Sequence, residues 1–296
     1  MKYLIIILIF FTNNLLGQIL SGNYCLKYPD FIKTEGYDLN RAAFSTSEVR
    51  KKGLFLNQYS LDKTKIEKQF HPASWESAGF LGGMIFDRVG NVYTFSAPHV
   101  NLIDNPPIKN NNIYIVDNKT AELKLWKSIP LCTDNFDENP FGVMGLTYHC
   151  MSKCIYASSI SGSKRYEEKG KVYCIDEYSR TIKDSLTEFD GFGLCVISIN
   201  GKFSLLMGNC RNSNLYSVDL ADNGKFISKP TIVFSIENMG LRGDDKIRKI
   251  VYNNKENTLT INSLEFNFNL AAVLNKPETN FKLKYDLEKK SWYRVN

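Results

Sequence analysis

The hydrophobic positions of this chain fall into short alternating runs separated by polar turns, the period-two spacing of half-buried strands. One unit recurs. Ile113-Tyr114-Ile115-Val116-Asp117 precedes Asn118-Lys119-Thr120, Val172-Tyr173-Cys174-Ile175-Asp176 precedes a polar turn, and Leu215-Tyr216-Ser217-Val218-Asp219 repeats the pattern. Leu54 to Asp62 before Lys63-Thr64-Lys65 is a further copy, and Leu283-Lys284-Tyr285-Asp286 before Trp292-Tyr293-Arg294-Val295 is a looser one. The Asp suits the end of each strand because its carboxylate can accept hydrogen bonds from the turn backbone that follows.

Between these copies lies a hairpin. Gly82 to Asp87 turns through Arg88-Val89-Gly90-Asn91 into Val92 to Phe95, and Val143 to His149 turns through Met151-Ser152-Lys153 into Ile155-Tyr156-Ala157. Leu194 to Ile199 turns at Asn200-Gly201, and Ile247 to Tyr252 turns at Asn253-Asn254. Gly and Asn supply the positive φ that tight hairpins need. A hairpin followed by a strand pair is a four-stranded antiparallel sheet, the blade of a β-propeller. The predicted fold class is therefore all-β, a β-propeller of four-stranded antiparallel blades. Five units are countable, at about 22–70, 76–130, 138–189, 190–237 and 242–296. The first is degenerate in its hairpin half, which leaves five or six blades open. A sandwich or a pair of small β-domains is the rival arrangement of such strands.

The start of the chain has a different pattern. Met1-Lys2, an apolar run from Tyr3 to Phe11, and small and polar residues to Gln18 form the three-part layout of a secretory signal peptide. The expectation is a signal peptide over 1–18, a single propeller domain over 19–296, and a secreted or periplasmic location. An uncleaved anchor is the alternative; no later segment is apolar enough to span a membrane. Export would let the seven cysteines pair. Cys150 and Cys154 flank a short turn and are expected to bridge it, and the odd total leaves a thiol over or an intermolecular bond.

Composition narrows the function by exclusion. The net charge of +6 over 296 residues is modest, and no Lys/Arg run exceeds Arg50-Lys51-Lys52, so no nucleic-acid footprint is present. The sequence carries no Gly-x-Ser-x-Gly elbow, phosphate-cradling Gly loop or zinc signature. Ser158-Ser159 and Ser161-Gly162-Ser163 read as turn residues, and Asn118-Lys119-Thr120 is a glycosylation sequon.

In a propeller, the loops between blades and those joining second to third strands share one face, where binding residues gather. The candidate ligand-binding residues there are Glu76, His99, Asn101, Asn139, Asp190, Arg211, Asn212, Arg242 and Asp244. Such a ring suits a small polar ligand, a glycan or a metal, and a protein is the other partner it could take. For Arg211 and Arg242, salt pairing competes with a role in holding an anion. Arg242-Gly243-Asp244 matches an integrin-type tripeptide, which chance explains.

The Gly-Asn turn joined to a Tyr-containing strand resembles NHL and SMP-30/gluconolactonase-like propellers, and more loosely strictosidine-synthase-like proteins, best over residues 76 to 260. The resemblance speaks for fold and hardly for activity. It implies, for the SMP-30 type, a divalent cation such as Ca2+ in the central channel, held by a Glu, an Asn and an Asp. Glu76, Asn139 and Asp190 are the candidates for that trio, although no family motif surrounds them. The leading expectation is a secreted binding propeller; a metal-dependent lactonase-like hydrolase and a cell-surface interaction module are the alternatives.

Overall fold

The computed structural model describes residues 21–22, 25–46, 51–98, 103–133, 135–268 and 277–295. The expected signal peptide over 1–18 lies outside these residues, as do His99 and Asn101. Five antiparallel sheets follow one another along the chain as the blades of a five-blade propeller. Blade I pairs Ala42–Ser45, Phe55–Tyr59 and Ile66–Phe70. Blade II pairs Leu81–Phe86, Val92–Ser96, Asn112–Val116 and Leu123–Ser128. Blade III comprises Val143–His149, Cys154–Ser159, Lys171–Asp176 and Ile182–Thr187. Blade IV comprises Gly191–Ile199, Lys202–Asn209, Asn214–Asp219 and Thr231–Ser235. Blade V comprises Lys246–Asn253, Thr258–Leu264, Thr279–Asp286 and Ser291–Val295.

Turn chemistry sets these boundaries. The Asp117 carboxylate accepts the backbone N–H groups of Lys119 and Thr120 at 2.9 and 2.8 Å. Asp176 does the same for Tyr178 and Ser179, and Asp286 for Glu288 and Lys289. Each turn then closes through a residue of positive φ, namely Ala121, Arg180 and Lys290. Asp62 caps the matching turn of blade I through the Thr64 N–H at 3.1 Å. By that match, the strands described in blade I correspond to the second, third and fourth of the other blades. This accounts for the degenerate hairpin half of the first unit.

A single blade cannot bury both faces, so the core lies in the seams between blades. Leu54, Leu56, Leu81, Val92 and Val116 fill the seam of blades I and II. Tyr93, Trp126, Tyr148 and Ile155 fill that of II and III, and Tyr156, Val172, Leu205 and Met207 that of III and IV. Ile197, Leu206, Ile247, Leu259 and Leu283 occupy the seam of IV and V. The first strands of adjacent blades pack on each other, and glycine permits the approach. A Cβ at Gly145 would stand 2.2 Å from the Phe192 carbonyl oxygen, and one at Gly193 would stand 2.8 Å from that of Arg248.

The N-terminal segment straps the lower face, where the hairpin turns lie. Ser21–Gly22 pairs with Ser198 and Ile197 on the free, axis-facing edge of blade IV. Cys25 is disulfide-bonded to Cys150 at the hairpin turn of blade III. The Lys27 N–H donates to the Asp87 carbonyl of blade II, and the Phe31 N–H to the Asn118 carbonyl, each at 3.0 Å. The short helix Phe31–Thr34 then buries Phe31 and Ile32 in the first seam.

This disulfide corrects the bridge expected between Cys150 and Cys154. The two cysteines flank one hairpin but face opposite sides of blade III. Cys150 packs against the II/III cluster together with Cys25, whereas Cys154 is buried in the III/IV cluster. Cys154 is a free thiol. The sequon is also structurally committed. Asn118 is 9% exposed, and its Oδ1 accepts the Asp30 N–H at 2.6 Å.

Candidate functional site

The upper-face loops are moored by polar side chains. Asn105 accepts the Phe80 N–H at 2.6 Å and donates to the carbonyls of Phe80 and Ala97, both at 2.8 Å. Asn139 is buried and donates to the carbonyls of Ile160 and Ser163, both at 2.8 Å, while its Oδ1 accepts the Phe141 N–H. Ser159 donates to Asn111 at 2.7 Å, so the serines of this loop serve its shape.

Asp190, immediately before the first strand of blade IV, is fully buried. Its Oδ1 accepts the Ser163 hydroxyl and the Gly170 N–H, and its Oδ2 meets Arg211 Nε at 2.5 Å. Burial pushes its carboxyl above the ordinary range, opposed by Ser163 and Arg211. Arg211 donates further to the carbonyls of Lys164, Arg165 and Glu167, which ties the second-to-third-strand loop of blade III to blade IV. Blade V repeats the device. Asp245, again just before a first strand and fully buried, accepts Arg242 Nε at 2.6 Å, and Arg242 also reaches the Pro277 carbonyl. Asn212 is taken up locally, with its Nδ2 donating to Tyr216 Oη at 3.0 Å. Asp244 is exposed, and its carbonyl accepts from Lys246.

Glu76 belongs to the short helix Ala73–Glu76 leading into blade II and pairs with His71 at 3.2 Å. The proposed cation trio does not fit. Asp190 has an arginine on one oxygen and two donors on the other, and Asn139 directs its amide nitrogen to two carbonyls. An already neutralised carboxylate offers a divalent ion little charge. Among the described residues, no group of three or more His, Cys, Asp or Glu side chains is placed to hold a metal ion.

The same loops surround a pocket of about 660 Å³. Its floor is apolar: Phe266 lies 5.2 Å from both Phe141 and Phe192 and 5.5 Å from Phe268, over buried Ile160, Cys210 and Leu264. The Arg211 guanidinium covers the Phe268 ring at 5.1 Å. Asp137, Glu138, Arg165 and Lys246 supply the polar wall, and Tyr166 projects from it 90% exposed. Glu138 is paired with Lys164 at 3.0 Å. Burial pushes the Cys210 thiol well up, so it is an inert part of the wall. Of the candidate residues that lie among the described ones, Arg211 lines the pocket, and the loop of Phe266 and Phe268 was not among those expected to carry a site. Tyr166, Phe266 and Phe268 give no signal in the sequence, because single aromatics in a strand-rich chain look the same as core residues.

No family model and no curated protein matches this chain. Among solved structures, it is similar to an exo-β-1,3-galactanase from Phanerochaete chrysosporium, at 9% identity over 95% of this chain and 71% of that one, with a TM-score of 0.49. An α-L-arabinofuranosidase from Lactobacillus brevis is 11% identical over 85% of this chain and 89% of its own, with a TM-score of 0.48. A nidogen/laminin complex structure is 12% identical over 83% and 86%, with a TM-score of 0.46. Likeness at this level transfers no chemistry.

Proposed function

We propose that this protein is a binding propeller that works outside the cytosol and takes a small polar ligand of the carbohydrate class at its upper face. The observation that carries the reading is the exposed Tyr166 ring beside the Phe266–Phe268 floor, within a wall of carboxylates and cations. A sugar ring has an apolar face that can lie on an aromatic ring and hydroxyls that need donors and acceptors around it. The pocket supplies both, and its volume suits a mono- or disaccharide. The disulfide between Cys25 and Cys150 supports a location in an oxidising compartment. No helix among the described residues is long and apolar enough to cross a membrane.

Calorimetric titration with a panel of neutral and acidic mono- and disaccharides tests the reading. At least one should bind, and Tyr166→Ala should weaken it about fivefold, an aromatic contact being worth roughly 1 kcal/mol beyond its area. Full affinity in a folded Tyr166→Ala, Phe268→Ala double variant would move the site elsewhere.

A further inference from the structure

Five cysteines are free thiols, and two of them meet inside blade III. In the pairing of its second and third strands, Cys154 stands opposite Asp176 and Tyr156 opposite Cys174. Cys154 and Cys174 are therefore diagonal neighbours on one sheet face, both fully buried in the III/IV cluster. Diagonal neighbours across antiparallel strands stand about 7–8 Å apart, with their Cβ atoms closer, and here a hydrogen bond between the two thiols spans the gap. The Lys183 ammonium, on the adjoining outer strand, donates to the Cys154 sulfur at 3.4 Å.

A turn of blade IV covers the pair. The Asn223 carbonyl lies 3.8 Å from Cys154 Sγ, the Tyr156 hydroxyl donates to the Gly224 carbonyl at 2.6 Å, and the Phe226 N–H donates to Asp184 at 3.0 Å. The cover is tight: a Cβ on Gly224 would stand 2.9 Å from Cys154 Sγ and 2.6 Å from Ser152 Oγ.

We propose that Cys154 and Cys174 form an oxidation-sensitive dithiol that hydrogen peroxide converts to a disulfide, with Cys154 as the attacking sulfur and Lys183 as its charge partner. A hydrogen bond from Cys174, backed by Ser152 and Lys183, draws the Cys154 thiol below its ordinary range against the opposing effect of burial. Cys174 is raised by its hydrogen bond to Cys154 and by burial, so it stays protonated until its turn to react. The Cys154 thiolate attacks one peroxide oxygen. A sulfur–oxygen bond forms, the oxygen–oxygen bond breaks, and the departing hydroxide takes up a proton to leave as water. The Cys174 sulfur then attacks the sulfenic sulfur of Cys154. The sulfur–sulfur bond forms, the sulfur–oxygen bond breaks, and the hydroxide leaves with the Cys174 proton as a second water. Two thiols are oxidised by two electrons, and one peroxide is reduced to two waters. Both thiols are fully buried, so the oxidant reaches Cys154 only when the turn of Asn223 and Gly224 opens, and the small size of peroxide suits that route. The inference is independent of what the upper-face pocket binds.

Treating the full-length protein with peroxide at pH 7, then mapping non-reduced peptides by mass spectrometry, tests the assignment. A Cys154–Cys174 cross-link should accumulate while Cys195 and Cys210 remain thiols. The burial that pushes Cys195 up to about 12 and Cys210 well above the ordinary thiol range makes these two the internal control. Lys183→Met should slow the cross-link about tenfold and Lys183→Arg should not, as expected from the thiolate fraction and nucleophilicity of the attacking sulfur. Cys174→Ala should stop at a sulfenic acid on Cys154 that dimedone traps. The proposal is overturned if both cysteines stay reduced, if oxidation instead links Cys154 to Lys183, or if the rate ignores Lys183. Circular dichroism of each variant shows that it remains folded, so a slow rate is read as chemistry.

Discussion

Arg211 Nε stands 2.5 Å from the fully buried carboxylate of Asp190, and the rest of that guanidinium holds three carbonyls of the neighbouring blade's loop. The pair binds blade III to blade IV on the face that carries the pocket. A buried charge left without its partner is strongly destabilising. Arg211→Met should therefore cost about 3–5 kcal/mol in urea unfolding. Adding Asp190→Asn should restore part of the loss, because a neutral amide oxygen can still accept from Ser163 and Gly170. If the double variant is no more stable than the single one, the pair is not the source of the effect.

His149 gives the fold a pH dependence. It is fully buried in the hairpin of blade III, its Nδ1 shares a hydrogen bond with Ser152 at 2.7 Å, its Nε2 finds no partner among the described residues, and its ring lies 4.5 Å from Phe203. Burial lowers its pKa from 6.5 to about 4. Between these values the unfolded chain binds a proton that the folded chain refuses, so stability must fall as the pH falls through that window. The shift corresponds to about 3 kcal/mol at most. His149→Phe should flatten this part of the stability profile. An unchanged slope between pH 6.5 and 4 would assign the dependence to other groups.

Blade boundaries were legible because turn chemistry is local. Asp117, Asp176 and Asp286 accept from residues two and three positions ahead, and Asn200-Gly201 takes the two positive φ values its hairpin needs. Long-range commitments were not legible. Nothing in a five-residue window says that Cys25 will meet a cysteine 125 positions away, or that Cys150 and Cys154 will face different seams. Polar loop residues raised a similar ambiguity. Asn139, Asp190 and Arg242 have the composition of a binding rim, yet their partners are main-chain carbonyls and other buried side chains. The salt pairing weighed for Arg211 and Arg242 is what the structure shows.

The close approach of first strands makes Gly145 a sensitive position. Its missing Cβ leaves room for the Phe192 carbonyl oxygen at 2.2 Å, a backbone atom that cannot swing aside as a side chain could. Gly145→Ala should push the first strands of blades III and IV apart and cost about 2–3 kcal/mol, within the usual range for overpacking. Thermal unfolding measures the loss, and the same substitution at Gly201, where a Cβ would meet none of the described residues within 4 Å, serves as the contrast through backbone strain alone. Equal losses at the two sites would show that packing is not the cause at Gly145.

The disulfide of Cys25 with Cys150 fastens a segment otherwise held by short pairings and a few backbone hydrogen bonds. Closing so long a loop removes much freedom from the unfolded chain, and loop-entropy arguments put the stabilisation at about 5 kcal/mol. Cys25→Ser should lower the unfolding midpoint accordingly, and reduction of the natural protein should reproduce the shift. The two halves of the strap should then separate in hydrogen exchange. The Gly22 amide, which donates to Asn254 Oδ1 at 3.0 Å beside the axis-facing edge of blade IV, should lose protection, because a two-residue pairing and one side-chain acceptor have little independent stability. The Phe31 amide should keep most of its protection, since Phe31 and Ile32 remain buried in the first seam. Protection that survives at both sites would mean that the strap is seated by side-chain burial along its whole length and that the covalent link adds nothing to its hold.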